Sequence, residues 1–334
     1  MKESVLFWPV RLEGKTLLIL DETKIPDEIS YIKAHSYKDA IRAVVDMKTR
    51  AFGQFLTVCY AFMLEVKKAK GWTKDRLMAH LKAVAEAFNK SRPTFPFEEV
   101  TGMALGFAEK TFASPRFSEE FLKAMEGFLE AGIRRQRYGR AEAAARLIED
   151  GAAVLTHCHV SGEMSLIGEF CRQSGKKIRF YATETRPYFQ GSRLTAWELE
   201  REGFDVTLVP DNAVATLMAE GKVQCVLVGS DRSAKNGDFA NKIGTYQIAL
   251  AAHANNVPFY VLRDPSESNP TIDTVKIEER DPEEVTHAMG VRTAKPGVRG
   301  FYPTFDMTPP NLVSAVATSK GLFSPYDLRR FFQA

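Results

Sequence analysis

The sequence predicts an α/β protein in which a doubly wound parallel-sheet domain follows a smaller, mainly helical N-terminal domain with a short β-hairpin. Three observations carry this. Apolar residues recur at three- and four-residue spacings from Ser36 to about Asp150. After Asp150 short apolar runs alternate with helical stretches. The N-terminus shows neither rhythm, but two short apolar segments around a Glu13–Gly14 turn.

Taken in order, residues 4–11 and 16–20 read as the hairpin. Residues 37–47, 55–66, 73–88 and 119–148 carry the helical pattern, punctuated by Pro93, Pro96 and Pro115. Runs at 152–156, 178–182, 206–209, 223–228 and 259–262 read as strands. The stretches 163–173, 191–202, 214–219 and 242–254 read as the helices between them. The predicted domains are 1–125 and 126–334, with one long helix near 115–150 joining them.

Composition narrows the classes. A chain of 334 residues is long enough for about two domains. The net charge of +3 gives no basic stripe for nucleic acid. No apolar run approaches the ~20 residues of a membrane helix. The N-terminus, MKESVLFWPVRLEGK, is too interrupted by charge for a signal peptide. Cys59, Cys158, Cys171 and Cys225 lie far apart with no CxxC pair, which fits a reducing cytoplasm better than a disulfide framework. No HExxH or similar histidine spacing suggests a metal.

The residues after each strand are the most informative. His157, Cys158 and His159 follow the first, and Thr183 to Arg186 the second. Asp211 and Asn212 follow the third, Asp231 and Arg232 the fourth, Arg263 and Asp264 the fifth. In an open parallel sheet these carboxyl ends face one crevice, where ligands bind. The pattern therefore predicts a site for a polar ligand.

Each candidate also has a plainer reading. Cys158 ends an apolar strand before HVSGE; it is either a small buried hydrophobe or a thiol activated by its imidazoles and a helix start. Asp231 is either a catalytic carboxyl, an ion-pair partner of Arg232 or a helix cap. His157 and His159 read as supporting groups, and the other three cysteines as core. Arg134, Arg135, Arg137 and Arg140 read as a solvated helix face or a subunit contact; Trp8, Trp72 and Trp197 read as packing anchors. The segment 237–245, GDFANKIGT, is either a phosphate cradle with Lys242 or an ordinary capping loop. Neither GxxxxGK[ST] nor GxGxxG is present, so no dinucleotide is indicated.

Several consecutive strings resemble the methylthioribose-1-phosphate isomerases: THCHVSGE, ETRPYFQGSRLTAWEL, VGSDRSAKNGDFANKIGTY, VPFYV, TIDTVKIEERDPEEV and FYPTFDMTPPNLVSAVATSKGL. The wider group holds the ribose-1,5-bisphosphate isomerases and regulatory subunits of the translation-initiation exchange factor. The likeness covers the C-terminal half and extends more weakly into the first half through LDETKIPDEISYI and SRPT.

The resemblance implies a Rossmann-like C-terminal domain, a cytoplasmic homodimer, no metal or organic cofactor, and isomerisation of a 5-substituted ribose 1-phosphate to the ribulose 1-phosphate in methionine salvage. By motif match Cys158 and Asp231 take the two catalytic positions. Gln190, Asn241 and Lys242 take substrate-binding positions, and Arg92 in SRPT that of a phosphate-holding arginine. One motif departs: the usual RGAPAIG is here RAFGQF, one residue short, with Arg50 kept as a phosphate ligand. THCHVSG likewise differs from the THCNAG common among the methylthioribose enzymes. These departures leave open a 5-phosphate or 5-deoxy substrate, or a regulatory subunit without catalysis. Phe52 and Phe55 hint at an apolar 5-substituent, although an aromatic pair at helical spacing is more often core.

Overall fold

The computed structural model describes residues 1–92, 97–266, 271 and 280–333. The chain divides into two compact units, Val5–Arg135 and Met1–Ser4 with Gln136–Ala334.

In the first unit β1 (Val10–Glu13) and β2 (Thr16–Leu20) form the hairpin across Gly14, whose φ of +59° favours glycine. The first strand starts later than expected, because Pro9 has no N–H for a ladder. A third strand, β3 (Tyr31–Ala34), extends the sheet from β2. Among the described residues of this unit five α-helices follow: α1 (Tyr37–Val45), α2 (Ala51–Lys68), α3 (Lys74–Ser91), α4 (Phe97–Thr111) and α5 (Phe117–Gly127). The Ser36 and Thr73 hydroxyls cap α1 and α3 by accepting the N–H of Asp39 and Arg76. Helix α4 was not expected; Phe97, Val100, Thr101, Ala104 and Ala108 are its buried stripe. The core of the unit gathers Phe62, Leu81, Phe88, Phe97 and Phe121.

Residues 117–146 are helical, as the long 115–150 pattern predicts, although Phe128–Arg134 adopts π-helical hydrogen bonding before α6 (Arg135–Arg146). The second unit then alternates: β4 (Ala153–Thr156), α7 (Glu163–Gln173), β5 (Arg179–Thr183), a π-helical turn (Gly191–Ala196) running into α8 (Trp197–Arg201), β6 (Asp205–Val209), α9 (Val214–Ala219) and β7 (Cys225–Gly229). Two short strands, β8 (Arg232–Ser233) and β9 (Phe239–Lys242), precede α10 (Thr245–Ala254) and β10 (Phe259–Leu262). The chain continues through α11 (Glu283–Thr286), β11 (His287–Ala288), β12 (Val291–Arg292), β13 (Phe305–Thr308), β14 (Ala315–Thr318) and β15 (Gly321–Phe323).

The main sheet has the order β15-β14-β10-β7-β4-β5-β6, parallel except for its β15 edge. From β4 the chain winds outward to β5 and β6, then crosses back to β7 on the other side of β4. The five expected strands are all present, and the arrangement is the doubly wound, Rossmann-like sheet. Val226, Val228, Phe259 and Val261 pack with Ile248 and Ala252 of α10 in its core.

Candidate active site

The direction of winding reverses between β4 and β7, the switch point at which open α/β sheets bind ligands. Cys158 follows β4 and Asp231 follows β7. The Leu155↔Val226 register, continued three residues, sets Cys158 opposite Gly229. A Cβ on Gly229 would come within 3.0 Å of Val160, so the two loops pack directly together.

Cys158 is held by its backbone. Its N–H donates to Thr185 Oγ1 (2.9 Å), and its carbonyl accepts from Thr195 Oγ1 (2.6 Å). Its φ is +63°, and Ser161, Thr185 and Phe189 in the loops after β4 and β5 also have positive φ. Non-glycine residues in this region carry strain that the surrounding bonds must hold. The thiol itself makes no hydrogen bond among the described residues. The other cysteines are core, as expected: burial pushes the Cys171 thiol up to about 11 and the Cys225 thiol up to about 12.

Asp231 donates its N–H to Ala240 O (3.0 Å) and accepts Arg232 Nη1 at its main-chain carbonyl (3.1 Å). Arg232 therefore grips the backbone, not the carboxylate, which has no ion-pair or hydrogen-bond partner among the described residues. The readings of Asp231 as an ion-pair partner or a helix cap lose their basis.

The strands β8, β9 and β13 form a small antiparallel sheet beside this rim and carry Asn241 and Lys242 on β9. Both residues are buried. Asn241 Nδ2 donates to Thr245 Oγ1 (2.9 Å), and Lys242 Nζ lies 4.7 Å from the Phe305 ring centroid. Gln190 is buried in the loop after β5, and its Oε1 has no hydrogen-bond partner among the described residues. A Cβ on the neighbouring Gly191 would sit 1.7 Å from Thr183 O, so only glycine lets that loop close on the threonines beside Cys158.

The segment 237–245 is a strand and a cap. Gly244, at φ +102°, begins α10, and its N–H is already taken by Asp306 Oδ2 (2.7 Å). The capping reading is favoured over the phosphate cradle. Asp306 itself was not singled out from the sequence. The string FYPTFDMTPP contained it, but nothing local says that its carboxylate reaches a helix sixty residues earlier.

His157 is buried. Its Nε2 donates to Ile243 O (2.8 Å), its Nδ1 accepts from Thr183 Oγ1 (2.6 Å), and burial pushes the imidazole pKa down. His159 meets the fully buried Glu198 (3.1 Å). Both rings are engaged within the fold, the arrangement a supporting group would have.

Two of the four clustered arginines, Arg137 and Arg140, differ from the solvated-face expectation, while Arg135 is exposed as expected. Arg137, 2% exposed, and Arg140 both bind the Glu163 carboxylate (2.8 and 2.7 Å), and Arg140 also binds Asp264 (2.9 Å). Asp264 in turn accepts the Ser319 N–H. A helix this rich in charge reads as solvated, and the carboxylates that bind these arginines come from loops distant in the chain.

In the helical unit Arg50 is the N-cap residue of α2, with Nε 3.3 Å from Glu22 Oε2. Arg92, at the end of α3, donates to Gln54 Oε1 (3.0 Å), and Gln54 Nε2 donates to Thr49 O. Both arginines thus lie at the start of α2, where helix N–H groups and the dipole favour an anion. A Cβ on Gly53 would fall 1.8 Å from Thr49 Oγ1, so the altered RAFGQF string keeps a glycine where the packing demands one. Phe52 stacks on Phe55 (6.0 Å) and meets Trp8 edge-on (5.5 Å), and both phenylalanines pack against the unit's core. The packing reading of that pair is favoured.

Pro93 and Thr94 of SRPT, and residues 272–279 of TIDTVKIEERDPEEV, lie outside the described residues. Among the described residues no three His, Cys, Asp or Glu side chains gather as a metal would need, and no helix is long and apolar enough to cross a membrane.

Residues 54–325 match the initiation factor 2 subunit family. The chain belongs to that family. Within it, the chain is 37% identical to a methylthioribose-1-phosphate isomerase of Desulforudis audaxviator, over 97% of this chain and 95% of that one. It is 36% identical to the enzyme of that name from Thermotoga maritima, over 97% and 96%. The structure of 5-methylthioribose 1-phosphate isomerase from Pyrococcus horikoshii OT3 superposes with a TM-score of 0.88 at 26% identity, covering 98% of this chain and 95% of that one. The family member described as translation initiation factor eIF-2B subunit delta from A. fulgidus superposes at 0.84 with 32% identity, covering 96% of each. The family and fold implied by the motifs are both borne out.

Proposed function

We propose that this chain is an aldose–ketose isomerase converting 5-methylthioribose 1-phosphate to 5-methylthioribulose 1-phosphate. The observation that carries the reading is the pairing of an unspent thiol and an unspent carboxylate, Cys158 and Asp231, on the two strands flanking the switch point. Full-length relatives carrying the isomerase name support it. The eIF-2B likeness is the rival; a subunit without turnover would have no use for the pair.

In an aldose 1-phosphate the anomeric oxygen is esterified, so the ring opens only if C1–O4 breaks with a proton delivered to O4. Asp231 donates that proton and afterwards takes the proton of the C2 hydroxyl as C2 becomes the ketone. The hydrogen of C2 passes to C1, either as a hydride or as a proton through the Cys158 thiolate and an enol. Either route conserves atoms and electrons within the sugar. Gln190, Asn241 and Lys242 orient the sugar, and Arg50 and Arg92 hold the phosphate as guanidinium forks. The protein acts as a cytoplasmic homodimer and uses no cofactor.

The test is incubation of the purified protein with 5-methylthioribose 1-phosphate, ribose 1,5-bisphosphate and 5-deoxyribose 1-phosphate separately, following ketose formation by NMR with Cys158→Ala as control. Turnover of the first, lost in the control, is the expected result. Turnover of another substrate would reassign the 5-substituent. No turnover by folded protein would favour the regulatory reading.

A further inference from the structure

We propose that Asp306 is a positioning residue for Cys158, acting through the Ile243–Gly244 peptide and the His157 ring; its activity readout rests on the isomerase reading above. Strand β13 sets Asp306 directly opposite Asn241, and antiparallel partners share a face of the sheet. From there Asp306 Oδ2 accepts the Gly244 N–H at 2.7 Å. The carbonyl of that same peptide, Ile243 O, accepts His157 Nε2–H at 2.8 Å. A peptide is planar, so a carboxylate that fixes its N–H also fixes its carbonyl.

The consequence reaches the thiol by a short route. A carbonyl can only accept, so Nε2 carries the ring proton and Nδ1 accepts the Thr183 hydroxyl at 2.6 Å. Thr183 Oγ1 lies 3.4 Å from Thr185 Oγ1, which accepts the Cys158 N–H. His157 also precedes Cys158 in the chain. Gly244 lies against the same ring: a Cβ there would sit 3.2 Å from the His157 imidazole, so a side chain at 244 would crowd it.

The remaining oxygen, Asp306 Oδ1, is buried with no hydrogen-bond partner among the described residues. The carboxylate is therefore anchored to the backbone through Oδ2, and its proton changes that anchor. Burial pushes its pKa up to about 6, against the N–H groups of Tyr246 and Gly244 and the charge of Lys242. The ionisable groups around it are Lys242 on β9, Tyr246 on α10, Tyr302 ahead of β13, and His157 beyond the peptide, with Asp211 4.0 Å from the His157 Nδ1. Protonation exchanges a charge-assisted hydrogen bond for a neutral one of about half the strength.

The experiment compares wild type with Asp306→Asn and Asp306→Ala in the full-length protein. It measures kcat, KM and Tm across roughly pH 5 to 8, and the ¹⁵N shifts of the His157 ring. Wild-type kcat is expected to fall as the pH drops through about 6, with the His157 shifts moving over the same range. Asp306→Asn is expected to lower kcat about tenfold at neutral pH, keep KM within about twofold, and abolish both inflections. Asp306→Ala is expected to lose more. A wild-type pH profile in Asp306→Asn would overturn the proposal, as would His157 shifts indifferent to the substitution. A kcat loss equal at every pH and matched by a fall in Tm would assign Asp306 a structural role only and also overturn it. His157 shifts that track Asp306 in a protein with no turnover would uphold the positioning and refute the isomerase reading.

Discussion

Two polar regions of the sheet domain treat their charges in opposite ways. Around Glu163 every charge is spent: Arg137, Arg140 and Asp264 close a buried network that ties α6 to the loops after β4 and β10. At the rim beside it the Asp231 carboxylate, the Cys158 thiol and Gln190 Oε1 stay unspent, although the backbones around them are tightly held. On the proposed isomerase reading these groups meet a changing substrate, and a group that does so cannot also be consumed by the fold. At Cys158 and Asp231 the fold bonds through main-chain atoms and leaves the side chain free, while the network around Glu163 spends its side chains on one another.

That contrast is open to test. The largest separation is expected from Asp231→Asn and Cys158→Ser, each lowering kcat by about a thousandfold while leaving Tm unchanged, measured by steady-state kinetics and thermal melting. Glu163→Gln should do the reverse. Arg140 keeps Asp264, but leaving the buried Arg137 guanidinium without its carboxylate is expected to cost about 3–5 kcal/mol in denaturant unfolding. Equal loss of activity and stability in both sets would erase the distinction.

Asp306 gives a smaller effect, with a definite sign. Its pKa is higher in the fold than in the unfolded chain. The stability it contributes is fully present below the ordinary aspartate value of 3.8 and is lost as the pH rises through about 6. Unfolding free energies should therefore decline between those limits by at most about 3 kcal/mol, and Asp306→Asn should flatten that decline. The mildest test is chemical. Alkylation of native protein near neutral pH is expected to spare Cys59, Cys171 and Cys225, whose thiols burial pushes up, and mass spectrometry would show it.

Much of this was legible in the sequence. The five expected strands appear as a parallel sheet because short apolar runs alternating with helical stretches mark βαβ units; β4 and β7 at its centre are buried on both faces, while β6 at its edge is largely exposed. Cys158, Asp231, Asn241 and Gln190 stand out in the sequence as candidates by position after strands and by motif. The misses share a cause. Strands β8, β9 and β13 are too short and too polar to show a period, so 237–245 looked like one turn. Arg137 and Arg140 looked solvated because charge on a helix usually is.

The sequence by itself determined the family, the order of helices and strands and the residues at the strand ends, since local periodicity and motif spacing are properties of neighbours along the chain. Only the tertiary structure decided which charges are spent and which are free. Glu163 is neutralised by arginines more than twenty residues away, Arg232 turns from the Asp231 carboxylate to its carbonyl, and Asp306 reaches back sixty-two residues to Gly244. Desolvation and hydrogen bonding act between groups that the fold brings together, and no pattern along the chain records which groups those will be.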